Sequence, residues 1–153
     1  MENIRYIKLK NKGGFVAKIT VQYKGKHTDE HGNVSYDAEW KSWHSDGYRD
    51  ICAAAERTVD LTDSDIPDGS QVRLKAVIVA GRDHTASEQY IYNKESSKMA
   101  FYKVSGTTYI NDKLELISCK LYAMAQFLNG IEPFSAFTSF FSAFYRRRVF
   151  SHN

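Results

Sequence analysis

The densest run of side chains suited to recognition is Tyr36 to Tyr48, YDAEWKSWHSDGY. Two indoles and two phenols stand there beside Asp, Glu, Lys and His. Such rings can stack on the face of a sugar while the polar neighbours bond its hydroxyls. The same amphipathic rings also settle at a membrane–water boundary. Trp40 continues an apolar alternation through Val34, Tyr36 and Ala38, and is expected in the core. Trp43, His44 and Tyr48 then stand as candidate ligand contacts. A second candidate is the loop Arg82-Asp83-His84, which follows the most apolar strand, a place where recognition side chains are often carried. Its plainer reading is a solvated turn.

Other constellations carry less. His27 and His31 are four residues apart and would share a helix face suited to a metal. They lie in a polar loop, KGKHTDEHGN, without helical periodicity, so no metal is assigned. Asp63 and Asp65 sit among turn formers rather than in a desolvated pocket. No GxSxG, P-loop or GxGxxG pattern occurs. The chain is therefore read as a non-enzyme without a cofactor. Cys52 and Cys119 are expected as two buried thiols in preference to one long-loop disulfide.

The tetrad FSAF occurs twice near the C-terminus, seven residues apart. On a helix begun at Pro133 this puts Phe134, Phe137, Phe141 and Phe144 on one face. Arg146, Arg147 and Arg148 close that helix, where positive charge offsets the dipole. Such a stripe can dock on the sandwich or on a second copy of the chain. It can also enter a membrane interface with the arginines on phosphate head groups.

These groups need a scaffold, and the scaffold reads as strands. A chain of 153 residues, 42% hydrophobic and 25% charged, suits one folded domain with a real core. The aromatic share of 14% fits strand packing or a binding surface, and a net charge of +3 is too small to argue for nucleic acid. The N-terminus lacks the apolar stretch of a secretory signal, and no 18-residue apolar run occurs. A cytoplasmic location, or export by a non-classical route, is the expectation.

Phe15, Ala17, Ile19, Val21 and Tyr23 alternate without error against polar or smaller neighbours, which predicts a half-buried strand. Ile4 to Lys10 is expected to pair with it across Gly13-Gly14 as an antiparallel hairpin. Arg57 to Gly81 reads as strand, turn and strand about Pro67 and Gly69, and Ala76 to Ala80 as the most buried segment. Ile51 to Glu56 is taken as a strand running on to Leu61. Tyr90 to Tyr92, Met99 to Val104, Thr107 to Ile110 and Leu114 to Ile117 complete the set. The cadence of about 8–12 residues belongs to an antiparallel sandwich or barrel. The expected fold is all-β: an antiparallel β-sandwich of about seven to nine strands over 1–117, with a helical Phe-rich extension over 118–153. Residues 120–129 carry helical spacing at Leu121, Met124, Ala125 and Leu128.

Three stretches give a family resemblance: Asn11-Lys-Gly-Gly-Phe15 leading into the long strand, the turn Ile66-Pro-Asp-Gly69, and Ala100-Phe-Tyr-Lys-Val104. Together they resemble the cytolysin/lectin superfamily of β-sandwiches, actinoporin-like pore formers and fungal fruit-body lectins, over residues 4 to about 117. The resemblance implies binding to sugars or lipid head groups through aromatic loops. Actinoporins carry an amphipathic helix before the sandwich, whereas here such a stretch follows it. The expected function is non-enzymatic recognition of carbohydrate or membrane lipid, as a lectin-like or membrane-active toxin or defence protein. The alternative is an interaction module that oligomerises through its Phe face. Expected partners are a carbohydrate or lipid head group, a membrane surface and a homo-oligomer, with no nucleic acid.

Overall fold

The computed structural model describes residues 1–123. The Phe134 to Arg148 helix lies outside the described residues. Twelve strands occur among the described residues: β1 Asn3–Ile4, β2 Tyr6–Gly13, β3 Ala17–Lys24, β4 Lys26–Thr28, β5 Val34–Tyr36, β6 Lys41–Trp43, β7 Glu56–Asp60, β8 Gln71–Ile78, β9 His84–Thr85, β10 Tyr90–Tyr92, β11 Lys98–Gly106 and β12 Lys113–Leu121. The fold is all-β, as the alternation predicts. The chain divides into two units, Met1–Cys119 and Lys120–Asn153, and the sandwich belongs to the first.

One sheet runs β1-β10-β8-β3-β6, with β9 pairing to β8; a second runs β12-β11-β2-β7; β4 and β5 form a separate hairpin. Period-two alternation sets the inner faces. Ala17, Ile19 and Val21 of β3 and Val72, Leu74, Ala76 and Ile78 of β8 are buried together with Ile7 and Leu9 of β2 and Tyr102 and Val104 of β11. Phe15, Ile19 and Val21, predicted to point inward, are 8%, 5% and 0% exposed.

The pairing differs from the hairpins expected from sequence. β2 pairs with β7 and β11, whereas β3 pairs with β8 and β6. The Gly13-Gly14 bend therefore carries the chain from one sheet to the other. The turn at Pro67 does the same between β7 and β8. Nor is the sandwich wholly antiparallel: β11 runs parallel to β2 from Met99↔Tyr6 to Gly106↔Gly13, and β1 runs parallel to β10. Alternation reports that one face is buried. It does not say which strand accepts the backbone hydrogen bonds.

Asn11 fixes the first crossing. Its carboxamide is fully buried. Nδ2 donates to the Phe15 carbonyl at 2.6 Å and the Ile51 carbonyl at 2.8 Å, and Oδ1 accepts from the Gly13 amide at 2.9 Å. The Phe15 ring lies against Gly13, where a Cβ would fall inside it. The second crossing uses Gly69, at φ 85°, with the Ser70 amide donating to the Pro67 carbonyl at 3.1 Å.

Other expectations shift by element. Ile51 makes a single bridge to Ala17, the chain then turns through Ala54 at φ 68°, and β7 begins only at Glu56. Residues 107–110 form a turn closed by the Thr107 amide on the Ile110 carbonyl, not a strand. β12 continues to Leu121, so residues 120 and 121, given helical spacing by the sequence, end a strand. β8 stops at Ile78, and Val79, expected in the most buried segment, is 46% exposed. Cys52 is exposed and Cys119 partly buried, both as free thiols, which corrects the expectation of two buried ones.

Candidate functional site

Two places within the sandwich unit gather groups able to bind something. The first is a groove along its side. β6 ends one sheet and β7 ends the other, leaving a cavity of about 500 Å³ between them, walled by Trp43, Arg57, Asp60 and Asp63 and by the 45–49 loop. Trp43 lies opposite Val21 across the strand pair and packs on the core, so one side of its indole closes the sandwich and it also borders the groove. Asp60 is already occupied: the Arg5 guanidinium holds both of its oxygens, at 3.0 and 2.8 Å. Burial pushes the Asp60 carboxyl up, and the hydrogen bonds from Arg5 and Thr62 more than reverse this, holding it below the usual carboxylate range. Arg57 Nη2 donates to the Asp50 carbonyl at 2.9 Å, while its buried Nε has no partner.

The second place is one end of the sandwich, where the 79–84 and 107–112 loops meet. The Tyr109 hydroxyl donates to the Ala80 carbonyl at 2.8 Å. Asp112, its side chain 4% exposed, takes His84 Nε2 at 2.6 Å and Arg82 Nη2 at 3.2 Å. Enclosure raises the Asp112 carboxyl, and the His84 and Arg82 hydrogen bonds outweigh it, leaving the group below its ordinary range. Asp83 Oδ1 accepts the Ile78 amide at 3.1 Å, and its other oxygen meets Lys75 at 3.3 Å. Gly106, at φ 108°, lies so close to the Asn111 backbone that a Cβ would not fit. What these bonds hold outward is apolar: Val79, Tyr109 and Ile110 are 46%, 72% and 66% exposed. Arg82 and Lys113 stand beside them with side chains 68% and 62% exposed.

The residues selected from sequence are thus distributed over three places. Trp43 lines the groove. His44 and Tyr48 stack at 4.2 Å on the outer face of the first sheet, where the Tyr48 hydroxyl meets Thr20 at 2.8 Å and Lys18 Nζ lies 4.7 Å from the Tyr48 ring. Arg82, Asp83 and His84 sit at the loop end. β3 and β8 separate β6 from β9, so Trp43 and His84 stand about 14 Å apart across the sheet. Asp83 and His84 point into internal pairs, leaving Arg82 the outward member.

Trp40 is not core. Arg73 and Lys24 lie over its ring at 4.1 and 5.1 Å. The alternating set around it belongs largely to the separate β4–β5 hairpin, and Val34 is 51% exposed. His27 bonds Asp37 at 2.6 Å, and among the described residues no three His, Cys, Asp or Glu lie together to hold a metal. Arg49, Arg57, Tyr109 and Ile110 were not singled out by sequence reasoning. The apolar run past Ile78 was the available signal for the loop end, since an apolar residue beyond a strand's last pair has no sheet face to fill.

No family model and no curated protein matches the chain. Among solved structures it is similar to listeriolysin O, at 17% identity and TM-score 0.43, over 73% of this chain and 22% of that one. It is similar also to a non-hemolytic pneumolysin from Streptococcus pneumoniae, at 15% identity and TM-score 0.44, over 76% and 23%. The cytotoxin suilysin from Streptococcus suis matches at 16% identity and TM-score 0.40, over 76% and 24%. The chain spans less than a quarter of the length of each of these three proteins. At these values the likeness fixes no family.

Proposed function

We propose that this protein is a non-catalytic module that binds membrane surfaces through the end of the sandwich bearing Val79, Tyr109 and Ile110. The observation that carries the reading is three large apolar side chains exposed on two loops that hydrogen bonds hold together. Large apolar side chains held in water on braced loops point to an interaction site. Full burial of such side chains contributes about 1.5–3 kcal/mol each. Tyr suits the interface because its ring is apolar and its hydroxyl polar. Arg82 and Lys113 flank the patch, largely exposed although paired with Asp112 and Glu115; a cation near an anionic leaflet adds at most about 1 kcal/mol.

Co-sedimentation of the full chain with vesicles tests this, using phosphatidylcholine alone and phosphatidylcholine mixed with phosphatidylserine. The chain is expected to bind the mixed vesicles more tightly, and less so at high salt. Val79→Ser combined with Ile110→Ser, which spares the Tyr109 hydroxyl's bond to Ala80, should weaken binding at least tenfold without changing the thermal midpoint. Undiminished binding by that variant would move the contact away from these loops, and no binding by either protein would end the reading.

A further inference from the structure

The groove between β6 and β7 has a chemistry different from that of the loop end. We infer that it is a binding site for neutral carbohydrate, independent of the membrane reading. Three observations lead there. The cavity, about 500 Å³, falls within the range of small-ligand sites, and its position between two sheet edges leaves it open along one side. An indole forms part of the wall, and an indole face matches the C–H face of a pyranose. Around it stand donors and acceptors in balance: the guanidinium groups of Arg49 and Arg57 with the carboxylates of Asp46 and Asp63.

The charge balance selects the ligand class. Asp60 is neutralised by Arg5. Two guanidinium groups and two carboxylates then remain, so the groove has no net charge with which to hold a phosphate. A sugar hydroxyl both donates and accepts. A vicinal diol can therefore lie across a planar guanidinium on one side and a carboxylate on the other, each with two parallel bonds. An apolar ligand would strand all four charged groups.

The protein offers an internal reporter, because its only indoles are Trp40 and Trp43. In the full chain carrying Trp40→Phe, emission comes from Trp43 alone. That protein would be applied to an array of neutral and sialylated glycans, and the neutral hits then titrated by fluorescence with inorganic phosphate as a control. Binding of at least one neutral glycan is expected, with a change in Trp43 emission. Arg49→Ala and Asp46→Asn alter exposed side chains, so each should weaken binding at least tenfold while leaving the thermal midpoint in place. The membrane variant Val79→Ser with Ile110→Ser should bind the glycan unchanged, which keeps the two readings separable. The inference is overturned by an array without neutral hits, by binding that survives Arg49→Ala and Asp46→Asn, or by a response to phosphate or sialylated glycans alone.

Discussion

Removing the Asn11 carboxamide would leave the Gly13 amide and the Phe15 carbonyl without their partner inside the protein, and would leave the Ile51 carbonyl with the Ala17 amide as its remaining donor. Each buried polar group so orphaned costs about 1–3 kcal/mol. Asn11→Ala is therefore expected to lower stability by about 3 kcal/mol in urea denaturation, more than an exposed polar substitution would. Cys119 offers a chemical readout at the same scale. Burial pushes its thiol up to about 11, and the hydrogen bond with Glu2 pushes in the same direction. At pH 8 it should stay protonated and react slowly with iodoacetamide, while exposed Cys52 is labelled first; peptide mass spectrometry of a time course would show the order. Single residues were also where the sequence misled. Trp40, expected in the core, lies outside it, because it follows an alternation begun in a hairpin outside the sandwich. Trp43, three residues later, is the one that meets Val21. Asn11 could be quoted as part of a motif, but nothing in its neighbours says that its amide spans forty residues to Ile51.

The β4–β5 hairpin shows how an element outside the core is held. Asp37 joins its two ends to the edge of the sandwich: it accepts the Gly25 amide at 2.9 Å and meets His27 and Lys41 at 2.6 and 3.2 Å. The His27 hydrogen bond, followed by those from Gly25 and Lys41, lowers the carboxyl from its ordinary 3.8 to about 2. A depressed carboxyl favours the folded hairpin above its ordinary value and loses that contribution as pH falls through its folded value. The hairpin should thus keep its order down to about pH 4 and loosen between there and about pH 2. Amide exchange of Gly25 and His27, followed by NMR over that range, checks it. In Asp37→Asn the same amides should exchange faster at neutral pH, with little dependence on acid. Strand identity was legible at this scale, because β3 and β8 each bury one face and period two reveals it. Strand partnership was not: the bends at Gly13-Gly14 and Pro67 look like hairpin turns from composition, yet each carries the chain between sheets. Turn formers state that a chain reverses; the direction of the reversal relative to the sheet plane depends on distant residues such as Ile51.

Over the whole molecule, the sandwich separates two surfaces, an apolar loop end with flanking cations and a balanced polar groove on the side. Composition shows a high aromatic share, suited to strand packing or a binding surface, and a small net charge, and it places neither of these surfaces. Their location was hidden, since each is assembled from loops or strands far apart in sequence: residues 79–84 with 107–112, and residues 43–49 with 57–63. The parallel pairing of β2 with β11 has one more consequence. Met99 lies beside Tyr6, so the strand that flanks β2 on that side leaves the ribosome only after some ninety further residues have been made. Until then β2 has one naked edge and an aliphatic face in search of cover, a state that invites pairing with the wrong chain. Newly made copies therefore depend on late closure, and crowding of nascent chains, rather than weakness of the finished fold, is where this protein is most exposed to aggregation.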